Sequence, residues 1–201
     1  METMKVLMFL ANGYEDLEAI AVIETCGWTS YRQNVPAVSV VTVGLQHEVK
    51  GRFGTSFFTD LLLDEVNPDD YVAIALPGGF DSHGYTQQAY DSRLQLLLRE
   101  MHRQNRTILT MCVGVLPAAE AGLLAGKRAT TFPFSRSQDR RARLQSLGAT
   151  VTDGPVEFDG GVISCSGPAH AIEAAQLMLK TLIGAEAFKE IRDFMAGRVC
   201  N

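Results

Sequence analysis

Short, wholly apolar runs alternate with helical patterns along the whole chain. Lys5–Leu10 reads as a buried strand that breaks at Asn12-Gly13, and the spacing predicts a helix from Glu15 onward. Val38–Val43 is a second, β-branched strand, and Tyr71–Leu76 is a third, closed by Pro77-Gly78-Gly79. Asp91 then caps a long helix through about Arg103, with Leu94, Leu97, Leu98 and Met101 on its inner face. Thr107–Met111 is a fourth strand, followed directly by the small-residue helix VGVLPAAEAGLL. Next come a short strand at Arg128–Thr131, an arginine-bearing helix and a strand at Thr150–Thr152. The segment VEFDGGVIS predicts a hairpin turning at Asp159-Gly160, and two helices, roughly Ala169–Ile183 and Ala185–Met195, close the chain. The pattern is loosest from Cys26 to Asn34. Trp28 and Tyr31 in that stretch suit a cap on the core edge, a pocket wall or a dimer contact alike.

Apolar strands alternating with amphipathic helices mean a sheet covered on both faces. The expected fold is a three-layer α/β/α sandwich around a doubly wound, mainly parallel sheet. With no repeat and no linker in view, residues 1–201 are expected to form one domain. Ligands of such sheets bind beyond the carboxyl ends of the strands. That rule selects three loops: Ala11–Glu18, Gly78–Gly84 and Met111–Gly114.

A formal net charge of −5 argues against a phosphate-binding surface, so no nucleic-acid partner is expected. Basic residues do cluster at Arg136, Arg140, Arg141 and Arg143. Asp139 interrupts them, and Leu144 and Leu147 follow at helical spacing, which reads as the solvated face of an amphipathic helix. The opening run MKVLMFLA stops at Asn12-Gly13 without a basic leader, and no stretch is long enough for a bilayer, so neither secretion nor a membrane is expected. Cys26, Cys112, Cys165 and Cys200 show no paired CxxC spacing. Reduced thiols in a cytoplasm, with no metal site, are the expectation.

The candidate chemistry sits in TILTMCVGVLPAAEAGLL. A strand ends at Met111 and a helix begins at or just after Cys112, so this side chain faces free backbone N–H groups above the sheet edge. The helix dipole there is expected to lower the thiol pKa, in the manner of a nucleophile elbow. Cysteine is also among the most commonly buried residue types, so the turn alone leaves a reactive and an inert thiol equally open. Two other loops add to it. In Pro77-Gly78-Gly79, the Gly79 N–H can join that of Val113 as an anion pocket. In NGYEDLEAI, Glu15 and Glu18 share one helix face, and a protonated carboxyl beside a thiolate can donate a hydrogen bond to it.

The combination of FLANGYEDLEA, ALPGGF, MCVG followed by AGLLAGKRATTFP, and SGPAHAIEAA resembles the ThiJ/PfpI superfamily over nearly the whole chain. That superfamily includes the parkinsonism-associated deglycase and chaperone proteins. The resemblance implies a flavodoxin-like fold shared with class I glutamine amidotransferases, no cofactor, and a homodimer. It places the nucleophile on Cys112, the oxyanion-type amides on Gly79 and Val113, and the acidic partner on Glu18, with Glu15 the second choice. Departures bear on the chemistry. Peptidase-like members carry a histidine where Val113 stands, deglycase-like members often one where Phe132 stands, and an arginine of the anion pocket appears as Ser166. His83 and His170 are the remaining auxiliary candidates, and Cys165 a candidate resolving thiol.

Three functions follow from these residues. In the first, Cys112 attacks a small electrophile, in chemistry of the glyoxalase or deglycase, amidase or hydratase type. In the second, the same thiol is a redox sensor that meets an oxidant without steady turnover. The third is a binding subunit with an ordinary thiol.

Overall fold

The computed structural model describes residues 3–134 and 139–198; Arg136 of the basic cluster and Cys200 lie outside the described residues. The first half of the chain forms β1 (Met4–Phe9), α1 (Asp16–Gly27), β2 (Val38–Gly44), β3 (Glu48–Lys50), β4 (Ser56–Phe58), β5 (Leu61–Leu62), β6 (Ala73–Leu76), α2 (Tyr85–Ala89) and α3 (Ser92–Arg103). The second half forms β7 (Thr107–Met111), α4 (Val115–Glu120), β8 (Arg128–Ala129), α5 (Arg140–Ser146), β9 (Thr150–Val151), β10 (Val156–Asp159), β11 (Val162–Cys165), α6 (Ala171–Ile183) and α7 (Ala185–Met195).

The principal sheet runs β10-β11-β7-β6-β1-β2-β5, and every pairing in it is parallel except β10 with β11. Successive strand residues face opposite layers, so both must be apolar. Leu7, Phe9, Ile74, Leu76 and Ile108 pack into one core with Leu94 and Leu98 of α3 and Val115, Leu116 and Ala118 of α4. Val6, Met8, Ala73, Ala75, Leu109 and Met111 pack into the other with Val22 of α1, Met178 of α6 and Ile191 of α7. This is the expected three-layer sandwich. Truncating a wholly buried side chain such as Ile74 or Leu109 costs about 2–5 kcal/mol. After β1 the chain adds β2 on one side and β6 on the other. The crevice at this reversal, between the ends of β1 and β6, is where open α/β sheets bind ligands.

Several local expectations are corrected. The hairpin turns at Gly160-Gly161, not Asp159-Gly160: Asp159 pairs with Val162, and both glycines have positive φ, 55° and 81°, as a two-residue type I′ turn requires. The helix after Cys112 stops at Glu120, because Gly122 at φ 84° and the bond from Leu123 N–H to the Ala118 carbonyl close it. The strand expected to reach Thr131 ends at Ala129; Thr130 N–H instead donates to Ser164 Oγ and Thr131 Oγ1 to the Cys112 carbonyl. The loose stretch is a 3₁₀ turn over Trp28–Tyr31. There Trp28 meets Phe194 edge-on at 5.6 Å on the core edge, while Tyr31 stays exposed. The β3–β4 hairpin and α2 have no counterpart in the sequence reading.

Candidate functional site

The loops after β1, β6 and β7 meet at the crevice. An isolated antiparallel bridge joins Tyr14 to Gly79, held by Glu15 N–H to the Gly78 carbonyl at 2.8 Å and Phe80 N–H to the Gly13 carbonyl at 2.9 Å. That pairing pattern leaves the N–H of Gly79 outside the bridge. Gly78 must be glycine, since a Cβ there would lie 2.7 Å from Cys112 Cβ and 3.0 Å from Val113 N. At Gly114 a Cβ would lie 2.6 Å from the Leu76 carbonyl oxygen. The β6 and β7 loops therefore touch backbone to backbone. The Tyr85 ring covers Gly79, and its hydroxyl donates to the Pro77 carbonyl at 2.8 Å.

Cys112 holds φ at 53°, a left-handed conformation that non-glycine residues rarely adopt and that recurs at reactive turns. Its carbonyl accepts the Thr131 hydroxyl at 2.8 Å, which ties the strained residue to the segment after β8. The side chain is 8% exposed, and the N–H of Val113 donates to its sulfur. Burial, followed by the charge of Glu18 when ionised, holds the thiol well above its ordinary pKa of 9.0; the Val113 N–H and Arg140 oppose this without reversing it. The expected dipole-lowered thiol is thus corrected. Cys112 opens a 3₁₀ turn ahead of a helix of only six residues, and its sulfur is nearly withdrawn from water.

Glu18 and Glu15 separate into different tasks. Glu15 is the N-cap of α1, its Oε2 accepting the N–H of Glu18 at 2.8 Å, so this carboxylate is spent on its own helix. Glu18 is wholly buried and reaches across to accept the Gly78 N–H at 2.7 Å through Oε2. Burial pushes its pKa up to about 8, with the charge of Glu15 adding and the Gly78 N–H subtracting. At neutral pH Glu18 is therefore a carboxylic acid. Its Oε1 has no hydrogen-bond partner among the described residues, although it is completely enclosed.

The histidines lie elsewhere. His83 is exposed, its Cβ side packed toward Gly13 and its ring paired with Ser82 at 2.8 Å. His170 stands 3.8 Å from Glu173 and lines a cavity of about 420 Å³ with Phe132, Phe134, Ser166 and Pro168. Among the described residues neither is joined to Cys112 by a hydrogen bond. Cys165 is buried in the opposite core from Cys112, donates to the Gly167 carbonyl and has its pKa pushed up to about 12 by burial, which does not suit a resolving thiol. No group of three or more His, Cys, Asp or Glu side chains among the described residues could hold a metal, and none of their helices is long and apolar enough to cross a membrane. Sequence reasoning missed Tyr85, Thr131 and Arg140. The periodicity of the basic helix puts Arg140 on a solvated face, yet it borders a second cavity with Val113.

A family model described as the DJ-1/PfpI family matches residues 4–181. An uncharacterized protein of Methanocaldococcus jannaschii is 31% identical over 95% of this chain and 84% of its own length. A Pyrococcus horikoshii protein named as a deglycase is 26% identical over 83% of this chain and 92% of its own length. The Arabidopsis thaliana protein named DJ-1 homolog A is 28% identical over 96% of this chain, which spans only 46% of that protein. In fold, the crystal structure of Drosophila melanogaster DJ-1beta superposes with a TM-score of 0.82 at 24% identity, covering 99% of this chain and 100% of that one.

Proposed function

The chain belongs to the DJ-1/PfpI family, and from that premise we propose that it acts on a small electrophile through Cys112, in chemistry of the glyoxalase or deglycase, amidase or hydratase type. The observation that carries this reading is the enclosed, protonated carboxyl of Glu18, whose Oε1 has no partner beside a cysteine held at φ 53°. A buried donor left unsatisfied is costly, so its retention argues for a partner that arrives with the reaction. The sulfur forms a bond to the electrophilic carbon, the π pair moves to oxygen, and the N–H of Gly79 holds that oxyanion together with the N–H of Val113, which turns from the sulfur to the oxygen as the charge moves. The thiol proton ends on the new hydroxyl, relayed by Glu18, and nothing is oxidised in this step. Some relatives are named as deglycases, which favours a small carbonyl among these substrates. On the same reading the 201 residues work as one domain, as a homodimer without a cofactor, in a reducing cytoplasm suited to free thiols. Turnover of small aldehydes is expected in the wild type and lost in Cys112→Ala and Glu18→Gln. Equal rates in all three proteins would overturn the proposal.

One observation favours a second reading, a redox sensor. No histidine hydrogen-bonds Cys112 among the described residues, so proton transfer in repeated turnover is weakly supported, whereas the free Oε1–H of Glu18 suits an oxidised sulfur. Mild peroxide is then expected to add oxygen at Cys112 while sparing Cys26 and Cys165, and uniform oxidation of all three would remove this reading.

A further inference from the structure

A cavity of about 40 Å³ is lined by Val113 and Leu116 after the elbow, by Asp81, Thr86 and Tyr90 along the β6–α2–α3 connection, and by Arg140. Roughly 10–15 Å³ of such space holds one water, so this cavity has room for a group the size of a carboxylate. The lining residue Val113 is the neighbour of Cys112, and its N–H donates to the Cys112 sulfur. Its cationic wall is specific to one arginine. Arg141 and Arg143 on the same helix are paired, with Asp153 at 2.8 Å and with Glu120. Arg140 has no carboxylate partner among the described residues: one guanidinium N–H donates to the Phe134 carbonyl at 2.7 Å, and the plane rests over the Phe132 ring at 5.9 Å. Asp81, the acidic group in the same lining, accepts the Thr86 hydroxyl. A guanidinium carries five donors in a planar fork that matches a carboxylate, so most of them remain to be used. The charge also reaches the reactive atom, because Arg140 favours the Cys112 thiolate.

Resting on the reading of Cys112 as a nucleophile, we propose that Arg140 is the specificity-determining residue and that the preferred electrophile bears a carboxylate on the reacting carbon, as an α-oxo acid does. With the carbonyl carbon at the sulfur and the oxyanion on the N–H groups of Val113 and Gly79, the carboxylate lies in the small cavity against Arg140. The net charge of −5 gives anions no general attraction to this protein, so selection falls to the local cation.

The test uses iodoacetate and iodoacetamide, which are nearly the same size and differ in one charge. Both transfer a carbon to the Cys112 sulfur with loss of iodide, and iodoacetate carries its carboxylate on the carbon attacked. Rates at the Cys112 peptide are followed by mass in wild type, Arg140→Met and Arg140→Lys. The ratio of the two rates within one protein cancels any change in thiolate fraction, so a merely structural role would not move it. The iodoacetate-to-iodoacetamide ratio is expected to fall roughly tenfold in Arg140→Met, the lower range for a charge-assisted hydrogen bond, and to recover in part in Arg140→Lys. An unchanged ratio with brisk iodoacetamide reaction overturns this inference while leaving the reactive cysteine standing. A Cys112 that takes neither reagent before the protein unfolds overturns both.

Discussion

Replacing Glu18 by Gln should stabilise the protein, and by an amount that grows with pH. The carboxyl titrates near 4.5 in an unfolded chain and at about 8 in the folded one, where burial disfavours its charge. The folded state then holds a proton that the unfolded state has released throughout that window. Stability contributed by the neutral acid is fully present below pH 4.5 and is lost as the pH rises through about 8. The complete loss is roughly 4–5 kcal/mol, of which roughly 3 is already incurred at pH 7. No discount for solvent applies, because the side chain is wholly enclosed. A glutamine keeps an oxygen to accept the Gly78 N–H and cannot ionise. Urea unfolding of wild type and Glu18→Gln at intervals from pH 5 to 8.5 measures the difference, in which other titrating groups cancel. The two curves should lie within about 1 kcal/mol of each other at pH 5, apart from the cost of placing an amide at the site of Oε1, and diverge steadily above it. Parallel curves would refute the reasoning, since they would mean that Glu18 carries its charge in the folded protein or finds a compensating partner.

The same enclosure governs the nucleophile: alkylation of Cys112 by iodoacetamide should still be accelerating above pH 9.0, and Glu18→Gln should move the midpoint downward by removing the opposing charge, whereas His83→Ala and His170→Ala should leave the profile where it was. An upward shift in Glu18→Gln, or a large shift in either histidine variant, would contradict the site geometry. Gly78→Ala and Gly114→Ala each drive a methyl group against backbone, at 3.0 Å from the Met111 oxygen and 2.6 Å from the Leu76 oxygen, and should cost about 1–3 kcal/mol in urea unfolding. A wild-type midpoint in both would show that the loops are not in backbone contact. Asp16 accepts the N–H groups of Phe53 and Thr55 and the Thr55 hydroxyl, so Asp16→Ala should release the tip of the β3–β4 hairpin, cost about 1.5–3 kcal/mol and hasten tryptic cleavage after Arg52; unaltered cleavage would count against that anchor.

The central strands were legible because a strand buried on both faces carries few polar residues, so TILTM reads as one despite its two threonines, and so does YVAIAL, of which only Ala73–Leu76 is strand. The position of Cys112 was legible for the same reason, as the first residue beyond such a run. The division of labour between Glu15 and Glu18 was not. Three residues apart, either side chain suits a helix face, and only the observed start at Asp16 makes the first a cap and sends the second under Gly78. A helix-dipole argument gives the opposite direction for the thiol shift because it takes no account of how much protein closes over the sulfur. β3 and β4 are three-residue strands too short to show a period, and the turn that joins them is held by a distant carboxylate, that of Asp16. The role of Arg140 is not legible because the periodicity of a basic helix says which residues share a face and nothing about which arginine lacks an acid among the described residues.

The bond from Gly78 N–H to Glu18 closes a loop of 60 residues, and the contact of Gly78 with Cys112 brings in a third strand end further along the chain. No local segment can rehearse this site. Contacts of such sequence separation form only after the entropy of closing the intervening chain has been met, so the sulfur acquires its guarded state late in folding. Until then it is an ordinary, accessible thiol. A newly made or heat-loosened molecule consequently offers this thiol to stray electrophiles on the same terms as Cys26 and Cys165, and a brief pulse of alkylating reagent during refolding would register at Cys112 the moment when β1, β6 and β7 come into register.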